Sequence, residues 1–222
     1  MALTSDEQKK AYTGLRYDVV ALIIGHPSKV LEVGCSNGIL LDYLKVNLGA
    51  TYTVGIECDP ELAGEALHKA DRIIVSDLDY FDVDVLADSK FDLIVAADVL
   101  EHTKDPAAVM RAILKCASDD AQVVISLPNI QHWTAIKNLF IGQWPQRERG
   151  LFDKTHLRFF TLQSIKDLAA ASNLEIERVS RNYRITDAPG SIINRFSGLF
   201  ALGPLKPFVV YQYILRMRLT QD

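Results

Sequence analysis

The chain has 222 residues, 49% of them hydrophobic and 23% charged, with a formal net charge of −4. That length suits one domain and buries enough surface to need neither disulfides nor a structural metal. The acidic balance excludes a general nucleic-acid binder, which carries a basic footprint.

The N-terminus, Met1 to Glu7, is polar and acidic and lacks the apolar centre of a signal peptide. Leu15, Val19, Leu22 and Ile23 form the stripe of an amphipathic helix that stops near Gly25-His26-Pro27. Lys29 to Val33 is then a short apolar strand, Gly34-Cys35-Ser36-Asn37-Gly38 a tight turn, Ile39 to Leu48 a helix, and Tyr52 to Glu57 a second strand. Asp59-Pro60 opens the next helix, with Asp as N-cap and Pro in the first helical position. Arg72 to Val75 and Phe91 to Ala96 are strands three and four, Asp105-Pro106 repeats the helix opening, and Ala121 to Leu127 is strand five. Strands that are near-continuous apolar runs, alternating with helices, predict a parallel sheet covered on both faces.

The regularity ends at Pro128, and residues 128–160 are expected to be an aromatic-rich insertion or lid within one domain spanning 1–222. Thr161 caps a helix carrying Ile165 and Leu168. Leu174 to Ser180 and Phe208 to Leu219 alternate as the last two strands, antiparallel to each other. The greasiest stretch, Phe196 to Leu215, is broken by Gly203, Pro204, Lys206 and Pro207 and does not read as a membrane span, although Phe196 to Leu202 could rest against a bilayer. Cys35, Cys58 and Cys116 form no CxxC pair or disulfide framework and are expected as reduced thiols of a cytoplasmic protein.

Ligands of open α/β sheets bind beyond the carboxyl ends of the strands, and four segments fall there. The first is the turn after strand one, whose small residues let backbone approach a ligand closely. The second is Glu57, a carboxylate able to accept both hydroxyls of a ribose. The third is Ser76-Asp77-Leu78-Asp79, where Asp77 could take an adenine amino group and Leu78 pack on the ring. The fourth is Ala97-Asp98-Val99-Leu100-Glu101-His102. A nicotinamide-dependent dehydrogenase shares the layout but needs G-x-G-x-x-G, which is absent.

VLEVGCSNG, GIECDP, VSDLD and FDLIVAADVLEHTKDP resemble, in order and spacing, the motifs of class I S-adenosylmethionine (SAM)-dependent methyltransferases. The resemblance covers roughly residues 12–180. It implies a Rossmann-like, seven-stranded, mostly parallel sheet with helices on both faces, and SAM as cofactor. It places Glu32, Gly34, Ser36 and Gly38 around the methionine part of SAM, Glu57 on the ribose, Cys58 on the adenine face, and Asp77 and Leu78 at the adenine edge. Asp98 and Val99 would floor the site. Ser36 stands where the family usually has its second glycine.

Methyl transfer to a hydroxyl needs orientation and usually a general base. His102, His132, His156 and Asp153 are candidates, with His156 ranked first and His132 second. The segments LPNIQHW and GLFDKTHLRFFT resemble bacterial methyltransferases of polysaccharide or O-antigen biosynthesis. That resemblance implies a sugar or glycan acceptor, lipid-linked or nucleotide-linked. SLPNIQHW with SDLDY also resembles MetW-like proteins of methionine biosynthesis, which implies a partner-regulating role as the alternative. Trp133, Leu139, Phe140, Trp144, Phe152, Phe159 and Phe160 could line an acceptor cleft, and Arg147, Arg149 and Arg158 could meet an acceptor phosphate. No metal is assigned from the sequence, and the oligomeric state is open.

Overall fold

The computed structural model describes residues 13–86, 89–186, 194 and 203–220. Its centre is a seven-stranded sheet in the order β3-β2-β1-β4-β5-β7-β6. The strands are β1 (Lys29–Val33), β2 (Tyr52–Glu57), β3 (Arg72–Val75), β4 (Phe91–Ala97), β5 (Ala117–Pro128), β6 (Leu174–Tyr183) and β7 (Val210–Leu219). The first five pair in parallel, while β7 runs antiparallel to both β5 and β6. This is the mostly parallel, Rossmann-like sheet that the motif order implies.

The helices are α1 (Tyr17–Val20), α2 (Ile39–Leu48), α3 (Pro60–Ala66), α4 (Pro106–Leu114), α5 (Trp133–Phe140), α6 (Leu162–Ala171) and α7 (Lys206–Val209). Both Asp-Pro openings act as read: Asp59 accepts from the Glu61 and Leu62 amides, and Asp105 from the Ala108 amide. Thr161 and Ser164 form a capping box at the start of α6. The core lies on both sheet faces. Leu31, Ile56, Phe91, Ile94 and Leu215 belong to one cluster, and Val30, Leu41, Leu44, Leu93 and Val124 to the other. Neighbouring residues of β1 and β4 thus point to opposite layers, which is why these strands read as unbroken apolar runs.

Several boundaries differ from the pattern: β6 runs on to Tyr183, and β7 starts at Val210 because Phe208 and Val209 belong to α7. The expected first helix shrinks to α1, one turn long. Its N-cap residue, Arg16, makes no cap bond and sends its guanidinium elsewhere, while Val19 and Leu22 still reach the core. Strand β5 begins at Ala117 because Phe91 pairs with Ala117 before the ladder slips into the Leu93–Gln122 register. Helix α5 arises inside the insertion; its start carries His132 as N-cap, a residue that gives no strong sequence signal for the role.

Order reverses between β1 and β4: the chain runs outward through β2 and β3, then crosses back to β4. The connections leaving the carboxyl ends of β1 and β4 therefore run opposite ways, and the crevice between them is the place for a ligand. None of the helices among the described residues is long and apolar enough to cross a membrane. The Phe196 to Leu202 stretch lies outside the described residues.

Candidate active site

A cleft of about 260 Å³ opens at this switch point. It is bounded by Glu32, Gly34 and Ser36 from the end of β1, Glu57 and Cys58 from β2, Asp77 and Leu78 after β3, and Asp98, Val99 and His102 after β4. Four stretches far apart in the chain thus converge because parallel strands in register end at one edge.

The turn after β1 is held tightly. The amides of Gly34 and Cys35 both donate to the Ile56 carbonyl, at 2.8 and 3.1 Å. Gly34 sits at φ 72°, and a Cβ there would lie 2.8 Å from Val99 Cγ2. Only glycine satisfies both conditions. Ser36 also adopts positive φ, 49°, so serine holds a backbone shape that favours glycine. Gly38 does not face the cleft; it precedes α2 at φ 74°, and a Cβ there would meet Ala66 Cβ at 2.9 Å.

Glu57 braces the turn from below. One carboxylate oxygen accepts the Ser36 amide at 2.8 Å and the other the Asp59 amide at 2.9 Å. Glu32, in the middle of the sheet between Gly55 and Val95, is 6% exposed. Its Oε2 has no hydrogen-bond partner among the described residues. Burial, with Glu57 close by, pushes the Glu32 carboxyl well above its usual range. A cation entering the cleft, such as the ammonium group of a bound amino acid, would favour the ionised form of this carboxyl and pair with it. Burial, with Glu57 near, likewise pushes the Cys58 thiol up.

Beyond β4 the chain carries two polar clusters. Asp98, at φ 55°, is gripped by Arg16, by Ser126 Oγ at 2.8 Å, and by Gln212. Arg16 also clasps Asp18 through two bonds of 2.8 Å, and Asn182 donates to Asp18 at 2.6 Å. Burial works to lower the Arg16 pKa, but the Asp98 and Asp18 carboxylates hold it above the ordinary value. Arg16 itself lines the cleft. Nothing local in the sequence points to it, since Asp98 is distant in the chain.

The second cluster joins Glu101, His102 and His156. The His102 and His156 rings meet edge to face at 4.8 Å. His102 Nδ1 lies 2.9 Å from Thr155 Oγ1, which donates to Asp153 at 2.6 Å. Leu157 and Arg158 amides both donate to the Glu101 carbonyl, at 2.8 and 2.9 Å. This seam binds the insertion to the β4 segment, so Thr155 and Leu157 join the cleft wall. Burial, with His102 next to it, pushes His156 down to about 4. His102 is also lowered by burial. Both rings are therefore neutral near pH 7.

The other insertion residues divide differently from the sequence expectation. His132 is fully buried and outside the cleft wall: its Nδ1 pairs with Thr134 Oγ1 and its Nε2 with the Arg184 carbonyl, both at 2.8 Å. That makes it a brace for α5, and the structure does not bring it to the acceptor. None of the named aromatics lines the cleft. Phe152 and Phe160 are buried, Trp144 packs edge-on against Phe152 and Phe159, and Phe140 is 90% exposed. Arg158 donates to the Lys104 carbonyl, and Arg147 lies over the Phe152 ring.

The family model that matches residues 6–179 is described as a methyltransferase domain. The chain belongs to that family. A ubiquinone biosynthesis O-methyltransferase of Neisseria meningitidis is 35% identical over 107 residues, 46% of this chain and 44% of that protein. The chain thus spans less than half the length of that curated relative. Among solved structures, an S-adenosylmethionine-dependent methyltransferase from Mesorhizobium loti superposes with TM-score 0.62 at 19% identity, covering 91% of this chain and 96% of that one. The plantazolicin methyltransferase BpumL, solved with S-adenosylhomocysteine, superposes with TM-score 0.58 at 17% identity, covering 96% and 82%. SAM is the cofactor that goes with this family and fold. The residues present fit it: an orphaned buried carboxylate at Glu32, a glycine turn with no room for a Cβ, and a carboxylate at the end of β2.

Proposed function

We propose that this chain methylates a hydroxyl oxygen of a small acceptor, a sugar or glycan hydroxyl of polysaccharide biosynthesis. One observation carries the reading. At the edge of the cleft His102 stands beside Asp98 and Val99, with the His156 ring and the buried Glu101 carboxyl packed behind it and Thr155 and Leu157 of the insertion beside it. Such a corner can receive a hydroxyl and handle its proton.

SAM supplies a methyl group on a cationic sulfur, which departs as a neutral thioether when an acceptor lone pair attacks the carbon. The chain's own residues do the rest. Glu32 would hold the ammonium of the methionine part, Gly34 and Ser36 give it passage, and Glu57 and Cys58 lie at the ribose and adenine. Asp77 and Leu78 bound the adenine edge, and Asp98 and Val99 form the floor. His102 meets the acceptor, with His156 behind it and the Thr155–Asp153 pair orienting its ring. Thr155 and Leu157 of the insertion form the wall on the acceptor side.

The relatives named for O-methylation in ubiquinone biosynthesis favour a second acceptor class, a phenolic hydroxyl. The MetW-like reading, SAM binding with a partner-regulating role, predicts no transfer at all. Cys35, Cys58 and Cys116 form no disulfide among the described residues, which suits a reducing cytoplasm. Labelled SAM tested against nucleotide sugars, glycans and phenols separates these readings. Label in a sugar supports the proposal, label only in phenols moves it to the second class, and SAM binding without transfer overturns both.

A further inference from the structure

Glu101, His102 and His156 each offer one donor atom, and these atoms lie within 4.8 Å of one another. Glu101 is 1% exposed and its Oε2 has no hydrogen-bond partner among the described residues. A buried carboxylate oxygen left without a partner is rare and calls for an explanation. His156 Nε2 approaches Glu101 Oε1 at 3.9 Å, too far for a hydrogen bond.

The surroundings prepare the imidazoles as ligands. Thr155 Oγ1 donates to Asp153, so what it can offer His102 Nδ1 is a lone pair. Nδ1 must then carry the proton, and the lone pair of His102 resides on Nε2. A ligating histidine almost always has its other nitrogen tied in this way, to a carboxylate or through one intermediary. Asp98, the other nearby carboxylate, is already committed to Arg16, Ser126 and Gln212 and is left out of the set.

We propose that Glu101, His102 and His156 bind one divalent first-row transition ion, with its remaining coordination positions facing the cleft through His102. Two imidazoles and a carboxylate suit Zn²⁺, Co²⁺ or Mn²⁺ better than Ca²⁺ or Mg²⁺, which prefer all-oxygen sets. Ligand atoms around such an ion lie ~3.3 Å apart for bonds of about 2.0–2.1 Å. Small side-chain rotations would close the present spread. The inference deepens the proposed function and rests on it for its use: a hydroxyl oxygen taking an open position would ionise more readily, its proton passing to water in the cleft. The oxygen–methyl bond forms as the sulfur–methyl bond breaks, and the electron pair stays on sulfur.

The test titrates chelator-stripped full-length protein with Co²⁺ alone, followed by visible absorption, with SAM affinity measured in parallel by calorimetry. One Co²⁺ per chain is expected, with the bands of nitrogen and oxygen ligation. Affinity should fall about tenfold or more in each of H102A, H156A and E101Q, while SAM affinity changes less than twofold. The SAM measurement also reports folding of each variant. No stoichiometric Co²⁺ binding, or binding equally tight in all three variants, overturns the site. Chelation that abolishes transfer and Zn²⁺ or Mn²⁺ that restores it supports the site. Co²⁺ bound with no transfer to any hydroxyl overturns the O-methylation reading and leaves the metal site standing. Transfer indifferent to chelation leaves the O-methylation reading standing and overturns the ion's part in it.

Discussion

The two polar clusters beyond β4 are a few residues apart in the chain and opposite in character. Around Asp98 the groups are matched: Arg16, Ser126 and Gln212 all donate to one carboxylate, and Asp18 completes the clasp on Arg16. Around Glu101 they are not, because one carboxyl oxygen has no hydrogen-bond partner among the described residues while two imidazoles meet edge to face beside it. A satisfied buried network holds a shape, whereas an unsatisfied one beside a cleft is poised for a ligand. In the proposed reading the first cluster sets the floor of the site, and the second addresses the acceptor.

The largest expected effect strikes between them. Val99 separates the clusters, and Gly34→Val drives a side chain into it from a backbone at φ 72°. SAM affinity should fall at least a hundredfold by calorimetry, with some loss of stability because Val99 must move. Normal SAM binding by a folded G34V chain would show that this turn is not the cofactor loop.

Removing Arg16 should hurt more than neutralising Glu101. Arg16→Ala leaves Asp98 and Asp18 without their cation, at a cost of about 2–4 kcal/mol in urea denaturation. In metal-free protein Glu101→Gln keeps the shape and replaces a carboxyl that burial, with Asp98 nearby, already drives toward its neutral form, so its cost should stay within ~0.5 kcal/mol. Equal losses in the two variants would erase the distinction between the clusters.

A milder change tests the cofactor side. Glu57→Gln preserves one acceptor oxygen for the backbone but lowers its charge, and SAM binding should weaken by roughly 1.5–3 kcal/mol. Unchanged affinity would confine Glu57 to bracing the Ser36 and Asp59 amides.

The smallest effect is a pH slope. Burial alone would raise the Asp18 carboxyl, but the Arg16 and Asn182 hydrogen bonds hold it below the usual 3.8. A folded pKa below the unfolded one contributes stability that is present above about pH 4 and lost as pH falls through the folded value. Asp18→Asn should therefore flatten the acid limb of the stability curve by about 1 kcal/mol, measured by urea melts from pH 5 to pH 2. A limb of unchanged slope would assign acid lability elsewhere.

Much of this protein was legible in the amino-acid order. Apolar runs that end in Gly, Asp or Glu mark strands of a parallel sheet and the ligands at their tips, because both signals are local. The Asp-Pro openings and the Thr161 cap are equally local, and so are nine of the ten proposed cofactor residues that line the cleft. Gly38 was read into the same turn, but a local motif does not say that Ala66 of α3 packs against it. The histidines could be found but not sorted. His132 and His156 lie in one insertion, yet one is tied to Arg184 and Thr134 while the other is packed against His102. Arg16 carried no signal at all, since its partner Asp98 comes from another strand end. What only the tertiary structure decided is which distant polar groups meet. Charge pairs and ligand sets depend on three-dimensional distance, and chain spacing reports that distance only within one strand, helix or turn.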